Sequence, residues 1–437
     1  MGPRITEEDT APRRVEALEH DDSRLSWRVD KTRIGRPSAV LLALGALYLA
    51  QGIPFGFATE YLPVVLREGG ASYGQIAAFG WLQLPWQVKI FWAHTADRPA
   101  VRKRSRYAIL ALQLALTATV ACFAIAPLKE AVLLWMVLTF LGALFASTQD
   151  VLVDAFAVRV LKPEERGFGN TAQVAGYRLG MLVGGAALLL LVGSLGERLT
   201  LLVCAAAVGV ASIGAFVGSE EVAPESGDEA STKKDAKAVW PLVKHIVHRD
   251  VIVVAIIAVT FKLGLHMAGA LLKPMAVDYG WTKKEIGAAV VSVGSVSALA
   301  GSAAGGFLHR WMKEKRALVV GLIFQALVCA PLIVVDRLHA PIGLTTFAIA
   351  MEHFGSGLGT TILFAALMTA TRPANAGMHY TILQSLNALA IGVGGTIGLV
   401  LAGLIGKEAT FALATVICIL PGFLLFRWDE AARASRA

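Results

Sequence analysis

The sequence predicts an all-α membrane protein with twelve transmembrane helices in two similar six-helix bundles. Of its 437 residues, 56% are hydrophobic and only 16% are charged, and the mean hydropathy is +0.62. Many apolar runs reach the roughly 20 residues that cross a bilayer as a helix. In addition, features of the first half recur at a fixed distance in the second half.

Twelve apolar segments are predicted to span the membrane: 38–66, 73–93, 107–127, 132–158, 171–192, 199–218, 251–275, 286–307, 317–335, 342–371, 378–404 and 409–426. The first 37 residues are charged and contain no apolar core, so we expect no cleavable signal sequence. The predicted organisation is an N-terminal tail (1–37), a first bundle (38–218), a central loop (219–250), a second bundle (251–426) and a C-terminal tail (427–437).

Lysine and arginine residues predict the orientation of the chain. Alternate loops share one side of the membrane, and the side that holds both tails carries 29 of these residues, whereas the other side carries seven. Because cytoplasmic loops are enriched in Lys and Arg, both termini are predicted to be cytoplasmic. The net charge of +8 reflects this bias. It does not indicate nucleic-acid binding, since no soluble domain is present to carry such a site.

The internal repeat has an offset of 210 residues. Glycines and prolines of the first half recur at that distance: Pro163, Gly167, Gly184 and Gly185 match Pro373, Gly377, Gly394 and Gly395. G-x-x-x-G spacing at 180–184, 301–305 and 394–398 predicts helix crossings at which two backbones approach closely. The halves differ chemically, because Thr360, Phe364 and Ala388 stand where the first half has Asp150, Asp154 and Arg178.

Ionisable residues avoid every third predicted helix. The third, sixth, ninth and twelfth contain no Asp, Glu, Lys, Arg or His. Seven of the other eight helices carry them, and the eighth helix does not; these residues are Glu60, Lys89, Asp150, Asp154, Arg178, Lys262, His266, Lys273, Glu352, His353 and His379. Charges inside a membrane are costly unless they are paired or hydrated. The pattern therefore predicts a polar pathway between the halves, and it shows none of the nucleophile–base or metal-ligand spacing of an enzyme.

Roles for these groups follow from their charge and depth. Asp150, Glu352 and His266 are candidates for proton coupling, although a static lattice of ion pairs is the alternative. Lys262, Arg178, Lys89 and His353 are candidate substrate contacts. For Lys89, snorkelling to the surface competes with pairing to an acidic group of the fourth helix. Asp154, Asp97 and Arg98 are predicted to form a cytoplasmic gate. Glu60 and Lys273 are expected to be interfacial.

Four stretches carry a resemblance to a known family. They are Q-G-I-P-F-G-F (51–57), L-P-W-Q-V-K-I-F-W-A-H-T-A-D-R (84–98), S-T-Q-D-V-L-V-D-A (147–155), and V-L-K-P-E-E-R-G-F-G (160–169) with V-A-G-Y-R-L-G-M-L-V-G-G (174–185). In these stretches the chain resembles the AmpG and acetyl-CoA transporter branch of the major facilitator superfamily. The resemblance implies that Gln149, Asp150, Asp154, Tyr177 and Arg178 matter, with Gln149 and Tyr177 as further substrate contacts.

The function expected from these observations is secondary active transport in the bacterial inner membrane. Members that resemble AmpG import anhydro-muropeptides, which makes a proton-coupled importer of a polar anion the first hypothesis. A siderophore importer and an acetyl-CoA transporter are the alternatives within the family. A non-transporting receptor on the same fold and a membrane enzyme are the alternatives outside it. We expect a monomer in the lipid bilayer, driven by the proton gradient, with no cofactor and no metal.

Overall fold

The computed structural model describes residues 35–92, 101, 104–160, 166–212, 248, 252–370 and 376–436. Regular structure within these ranges is helical, and they contain no strand. The predicted gate residues Asp97 and Arg98 lie outside the described residues, as do most of the N-terminal tail and of the central loop.

Within the described residues, the first half contains eight α-helices in chain order: α1 Gly35–Gly56, α2 Leu62–Glu68, α3 Tyr73–Trp81, α4 Leu84–Val88, α5 Ser105–Cys122, α6 Val132–Val160, α7 Arg166–Leu182 and α8 Leu188–Ala211. The described part of the second half contains ten: α9 Ile252–Thr260, α10 Leu263–Gly269, α11 Leu272–Asp278, α12 Lys283–Ile286, α13 Gly294–Trp311, α14 Glu314–Leu338, α15 Ile342–Thr369, α16 Ala376–Ile405, α17 Lys407–Ile419 and α18 Trp428–Arg436.

Nine helical stretches of the described chain are long and apolar enough to cross a membrane. One of them, Ala172–Ala211, has 40 residues, about twice the length that one crossing needs. It is interrupted at Gly196, whose φ of 74° no right-handed helix contains. The chain is thus an all-α, multi-pass membrane protein, as predicted. The count of twelve helices and the boundaries of the two bundles remain predictions.

The 210-residue repeat extends to the backbone. Gly70 and Gly280 both have positive φ, and so do Gly196 and Gly406; the members of each pair lie 210 residues apart. Left-handed conformations favour glycine because it has no Cβ. The same turn therefore recurs after equivalent helices in the two halves.

The helices that follow the first of these turns begin in the same way. Ser72 and Gln75 form a reciprocal capping box at the start of α3, and Thr282 and Glu285 form one at the start of α12. In each box a side-chain hydroxyl and a side chain three residues later satisfy two unpaired backbone N–H groups.

In the part of the chain that the structure describes, three π-helical turns interrupt the helices: Phe57–Tyr61 after α1, Val183–Ala187 after α7 and Gly287–Val293 after α12. The second contacts both of the others, so the three meet where the halves touch. π-Helical turns occur often at functional sites.

The predicted close crossings are confirmed. A Cβ on Gly184 would lie 1.9 Å from the carbonyl oxygen of Ile53, and one on Gly301 would lie 2.0 Å from that of Phe354. Any side chain at either position would separate the two backbones. α1 therefore packs directly on α7 and its π-helical turn, and α13 packs on α15.

The buried core shows how the halves are arranged. One hydrophobic cluster contains residues of both halves, among them Ile53, Leu189, Leu265 and Val291. A second cluster belongs to the second half alone, and a third belongs to the first half alone. The halves therefore share a core toward one end and keep separate cores toward the other. We call the shared end, which carries the loops around Gly70, Gly280, His339 and Gly406, the closed face.

Candidate functional site

Lys262 is a buried ammonium group in the second half. It stands between α9 and α10, where the backbone leaves helical geometry, and it is only 3% exposed. Its Nζ donates to Thr360 Oγ1 at 2.5 Å and to Ser356 Oγ at 3.4 Å. Among the described residues, no carboxylate lies within 4.0 Å of it. A buried charge held only by hydroxyl groups still lacks a counter-charge.

His266 lies one turn beyond Lys262 on the same helical face. Its Nε2 is buried and has no hydrogen-bond partner among the described residues. Buried polar atoms are nearly always bonded, so an unpaired one points to a missing partner such as water or a ligand. One face of this helix thus carries both a buried ammonium group and a buried imidazole nitrogen without a partner.

Glu352 and His353 form a pair on α15. His353 Nδ1 lies 2.8 Å from Glu352 Oε2 and 3.0 Å from the carbonyl oxygen of Ile349. Both partners accept, so Nδ1 carries the hydrogen. Glu352 is 4% exposed, and its Oε1 lies 3.0 Å from where a Cβ of Gly269 would stand.

The first half carries its own ion pair, between Lys89 and Asp150. The structure therefore favours pairing over snorkelling for Lys89. The same Nζ lies 5.4 Å from the centre of the Trp86 ring, a distance at which a cation is attracted to the ring face. Asp150 is 6% exposed, so removal of Lys89 would leave its carboxylate buried without a counter-charge.

Asp154 accepts hydrogen bonds from Tyr48 Oη at 2.6 Å and from Gln173 Nε2 at 3.4 Å. These contacts tie α6 to α1 and α7. Its predicted partner Arg98 lies outside the described residues, so the gate role of Asp154 stays a prediction.

Three aromatic rings from different helices meet beside the Lys89–Asp150 pair. The centre of the Phe55 ring lies 5.7 Å from that of Trp86 and 5.6 Å from that of Tyr177, and Trp86 lies 6.2 Å from Tyr177. All three side chains are partly exposed. We call Phe55, Trp86 and Tyr177 the aromatic cluster.

Arg178, the neighbour of Tyr177, is exposed. The positive charge of Arg178 repels that of Lys262 in the other half. The negative charge of Glu352 attracts Lys262. The candidate basic contacts of the two halves therefore act on each other across the boundary. Gln149, by contrast, is 0% exposed, and its Nε2 donates to the carbonyl oxygen of Leu47 at 3.4 Å. It presents no surface to a ligand in this conformation.

A network of charges that sequence reasoning missed joins the halves at the closed face. Asp278 of the second half accepts from Arg67 Nε at 2.6 Å and from Tyr73 Oη at 2.7 Å, both in the first half. Lys407 lies 3.3 Å from Asp278 and 3.2 Å from Asp336.

The same network also includes Tyr279, and a second ion pair joins the two halves. Tyr279 Oη donates to Asp336 at 2.8 Å. Burial first, and this hydrogen bond next, raise the pKa of Tyr279 above its ordinary value, so the phenol stays a donor. Lys283 pairs with Glu68 across the halves at 2.8 Å. The signal was present in the sequence: Arg67, Lys283 and Lys407 are among the few basic residues of these loops.

Glu60 and Lys273 also cross the boundary. Their side chains are 17% and 15% exposed and lie 3.0 Å apart. Each was expected to be interfacial, but that expectation treated the two helices separately. Once the halves pack together, each side chain is the other's partner.

Comparisons with known proteins agree with the fold. The family model described as Major Facilitator Superfamily matches residues 40–351 and 254–437. A crystal structure of a bacterial homologue of the human lysosomal transporter Spinster superposes with a TM-score of 0.70 at 12% identity, covering 92% of this chain and 99% of that one. The D-xylose–proton symporter superposes with a TM-score of 0.65 at 12% identity and the same coverage.

Two relatives found by sequence are a permease and a putative transporter. The anhydromuropeptide permease of Escherichia coli is 28% identical over 400 residues, which cover 89% of this chain and 78% of the permease. The putative transporter AmpG 4 of Rickettsia felis is 26% identical over 398 residues, which cover 89% of this chain and 96% of that protein. The predicted resemblance is therefore confirmed, and the chain belongs to the Major Facilitator Superfamily.

Proposed function

We propose that the chain is a proton-coupled importer of an organic anion, with anhydromuropeptide as the first candidate cargo. The observation that carries the proposal is the state of Lys262. This ammonium is buried against two hydroxyl groups and acts on Arg178 across the boundary between the halves. An anionic group of the cargo would supply the missing negative charge.

The other half supplies a complementary surface. The aromatic cluster is partly exposed, and one of its members, Tyr177, directly precedes Arg178 in the sequence. Ligand sites combine apolar and aromatic walls with a few convergent polar groups. A cargo that contacts Lys262 on one side and the aromatic cluster on the other would be held by both halves, as alternating access requires.

Direction follows from the charge bias of the loops. The closed face carries loops that are poor in Lys and Arg, so we assign it to the outside of the cell. The halves then separate toward the cytoplasm, and the conformation corresponds to release of an imported cargo. Glu352 is proposed as a proton site, because it is a buried carboxyl group inside the membrane that contacts His353 Nδ1 at 2.8 Å, and such groups mark proton pathways.

The cargo assignment is tested by uptake into proteoliposomes with an imposed pH gradient. Labelled anhydromuropeptide is compared with a ferric siderophore and with acetyl-CoA. We expect uptake of anhydromuropeptide alone, and we expect it to collapse when a protonophore dissipates the gradient. Transport of the siderophore or of acetyl-CoA instead would replace the proposed cargo, and lack of counterflow with all three would favour a receptor.

The role of Lys262 is tested in the same assay. Lys262→Gln keeps hydrogen bonding to Thr360 but removes the charge, so we expect uptake to fall by about a hundredfold, the effect of losing one buried charge pair. Lys129→Gln, an exposed lysine in a loop, is the matched control and should transport normally. Equal uptake by both variants would remove Lys262 from the binding site.

A further inference from the structure

Glu60 is held in place by a contact that leaves no room for a side chain opposite it. It lies in the π-helical turn Phe57–Tyr61. A Cβ on Gly185, in the π-helical turn Val183–Ala187, would stand 2.6 Å from Glu60 Cβ and 2.9 Å from its Cγ. The stem of Glu60 therefore rests on the bare backbone of Gly185, and its carboxylate is directed to Lys273 of the other half, 3.0 Å away.

A second carboxylate, that of Glu352, lies beside the helical turn that precedes Lys273. Glu352 packs against Gly269, with Oε1 3.0 Å from the position of a Cβ there. Gly269 and Lys273 are four residues apart on consecutive helical segments, so they share a face. The charges of Lys273, Glu60 and Glu352 all act on His353. The four groups therefore form one electrostatic cluster that spans both halves.

The other elements around Glu60 carry charges of their own. The π-helical turns Val183–Ala187 and Gly287–Val293, which pack at the same junction, contain no titratable residue. α2, which also packs against the turn of Glu60, carries Arg67 and Glu68, and these bond to Asp278 and Lys283; α8 carries Glu197 and Arg198. Glu60 itself bonds to Lys273 on α11, and the Glu352–His353 pair lies on α15. A lysine that lies between two carboxylates is attracted to both.

We propose that Lys273 is shared between Glu60 of the first half and Glu352 of the second, and that this exchange couples the closed face to the proton site. With Lys273 on Glu60, the halves are held together. With Lys273 on Glu352, the bond across the boundary is lost and the closed face opens. The part played by Glu352 rests on the proposed proton coupling, whereas the bond between Glu60 and Lys273 does not.

The experiment measures how often the closed face opens, without cargo or gradient. Val291 is 3% exposed and lies beside Gly185 at the junction. Val291→Cys is introduced after the native cysteines Cys122, Cys204, Cys329 and Cys418 are replaced, and its rate of labelling by a polar maleimide is followed in nanodiscs. Labelling of Lys129→Cys, which is exposed in either state, serves as the reference for accessibility and folding.

Glu60→Gln should raise the labelling rate about tenfold, as expected for a partly buried ion pair that loses one charge. The exchanged pair Glu60→Lys with Lys273→Glu should return it to the starting rate. Glu352→Gln removes the competing carboxylate and should lower the rate below the starting value. Gly185→Ala, which displaces the stem of Glu60, should raise it, whereas Gly193→Ala, with no atom within 4 Å of its Cβ, should not.

An unchanged rate in Glu60→Gln would overturn the proposal, and so would failure of the exchanged pair to restore closure. A rate that does not fall in Glu352→Gln would overturn the competition for Lys273. Because the assay contains no cargo, a chain that shows the expected labelling but transports no anhydromuropeptide would refute the proposed cargo and leave this inference standing.

Discussion

Glu68 and Asp278 stand at equivalent positions of the two halves, 210 residues apart, and each bonds to the opposite half. Glu68 pairs with Lys283 at 2.8 Å, and Asp278 accepts a hydrogen bond from Tyr73 at 2.7 Å. Lys283 and Tyr73 are themselves 210 residues apart. The closed face is therefore held by two copies of one contact, related by the internal repeat.

The two copies differ in strength, and this difference can be measured. Asp278 also accepts a hydrogen bond from Arg67, lies near Lys407 and is 20% exposed. Glu68 is more exposed, at 32%, and pairs with Lys283. We expect Asp278→Asn to shift the closed state toward the open one by about 1–3 kcal/mol, and Glu68→Gln to shift it by less than about 1 kcal/mol. Spin labels at Arg198→Cys on α8 and Lys284→Cys on α12, both exposed and in opposite halves, report the distance between the halves by pulsed electron resonance.

A control for that measurement lies in the same region. Arg337 and Glu408 form an ion pair at 3.6 Å, but their side chains are 74% and 48% exposed and both belong to the second half. Arg337→Gln removes a charge from the closed face without touching the boundary, so the distance distribution should not change. A longer distance in Arg337→Gln would show that net charge and not the specific contact governs closure, and an unchanged distance in Asp278→Asn would show that the Asp278 contacts do not hold the face closed.

Gly301→Ala should destabilise the second half. Its Cβ would meet the carbonyl oxygen of Phe354 at 2.0 Å, a backbone atom that cannot rotate away. Forcing the two helices apart should cost about 1–3 kcal/mol and lower the apparent melting temperature in detergent by several degrees. Gly343→Ala, with nothing within 4 Å of its Cβ, is the control. Equal melting temperatures would mean that α13 and α15 can separate at little cost.

The sequence was sufficient to predict the fold class, because the length of each apolar run and the 210-residue repeat can be read from the residues without knowing how the helices pack. It also placed Lys262 and His266 on one face, since both lie on one helical stripe. It could not predict the partner of Glu60 or of Asp278, because those partners belong to the other half and depend on how the halves dock. In the folded chain, Lys273 lies beside Glu60, and Arg67 lies beside Asp278.

The aromatic cluster should determine affinity without determining stability. Tyr177 contributes a ring to Phe55 and Trp86. Tyr177→Phe keeps the ring and should leave uptake nearly unchanged, whereas Tyr177→Ala should raise KM for the proposed cargo about tenfold, the value of one aromatic contact. Initial rates of uptake over a range of cargo concentrations separate KM from kcat. A change in kcat alone would place Tyr177 in the conformational step instead of in binding.

The Lys89–Asp150 pair distinguishes a proton relay from a static ion pair. Asp150→Asn leaves the Lys89 ammonium, whose side chain is 34% exposed, without its counter-charge, which should destabilise the protein by about 1–3 kcal/mol. Adding Lys89→Gln removes the stranded charge, so thermal stability should recover in the double variant. If Asp150 carries protons, uptake driven by the pH gradient stays lost in the double variant, while counterflow of labelled cargo, which needs no gradient, survives. Recovery of gradient-driven uptake together with stability would show that the pair only holds α6 to its neighbours. We expect the former result, because Asp150 is a buried carboxylate inside the membrane, and such groups mark proton pathways.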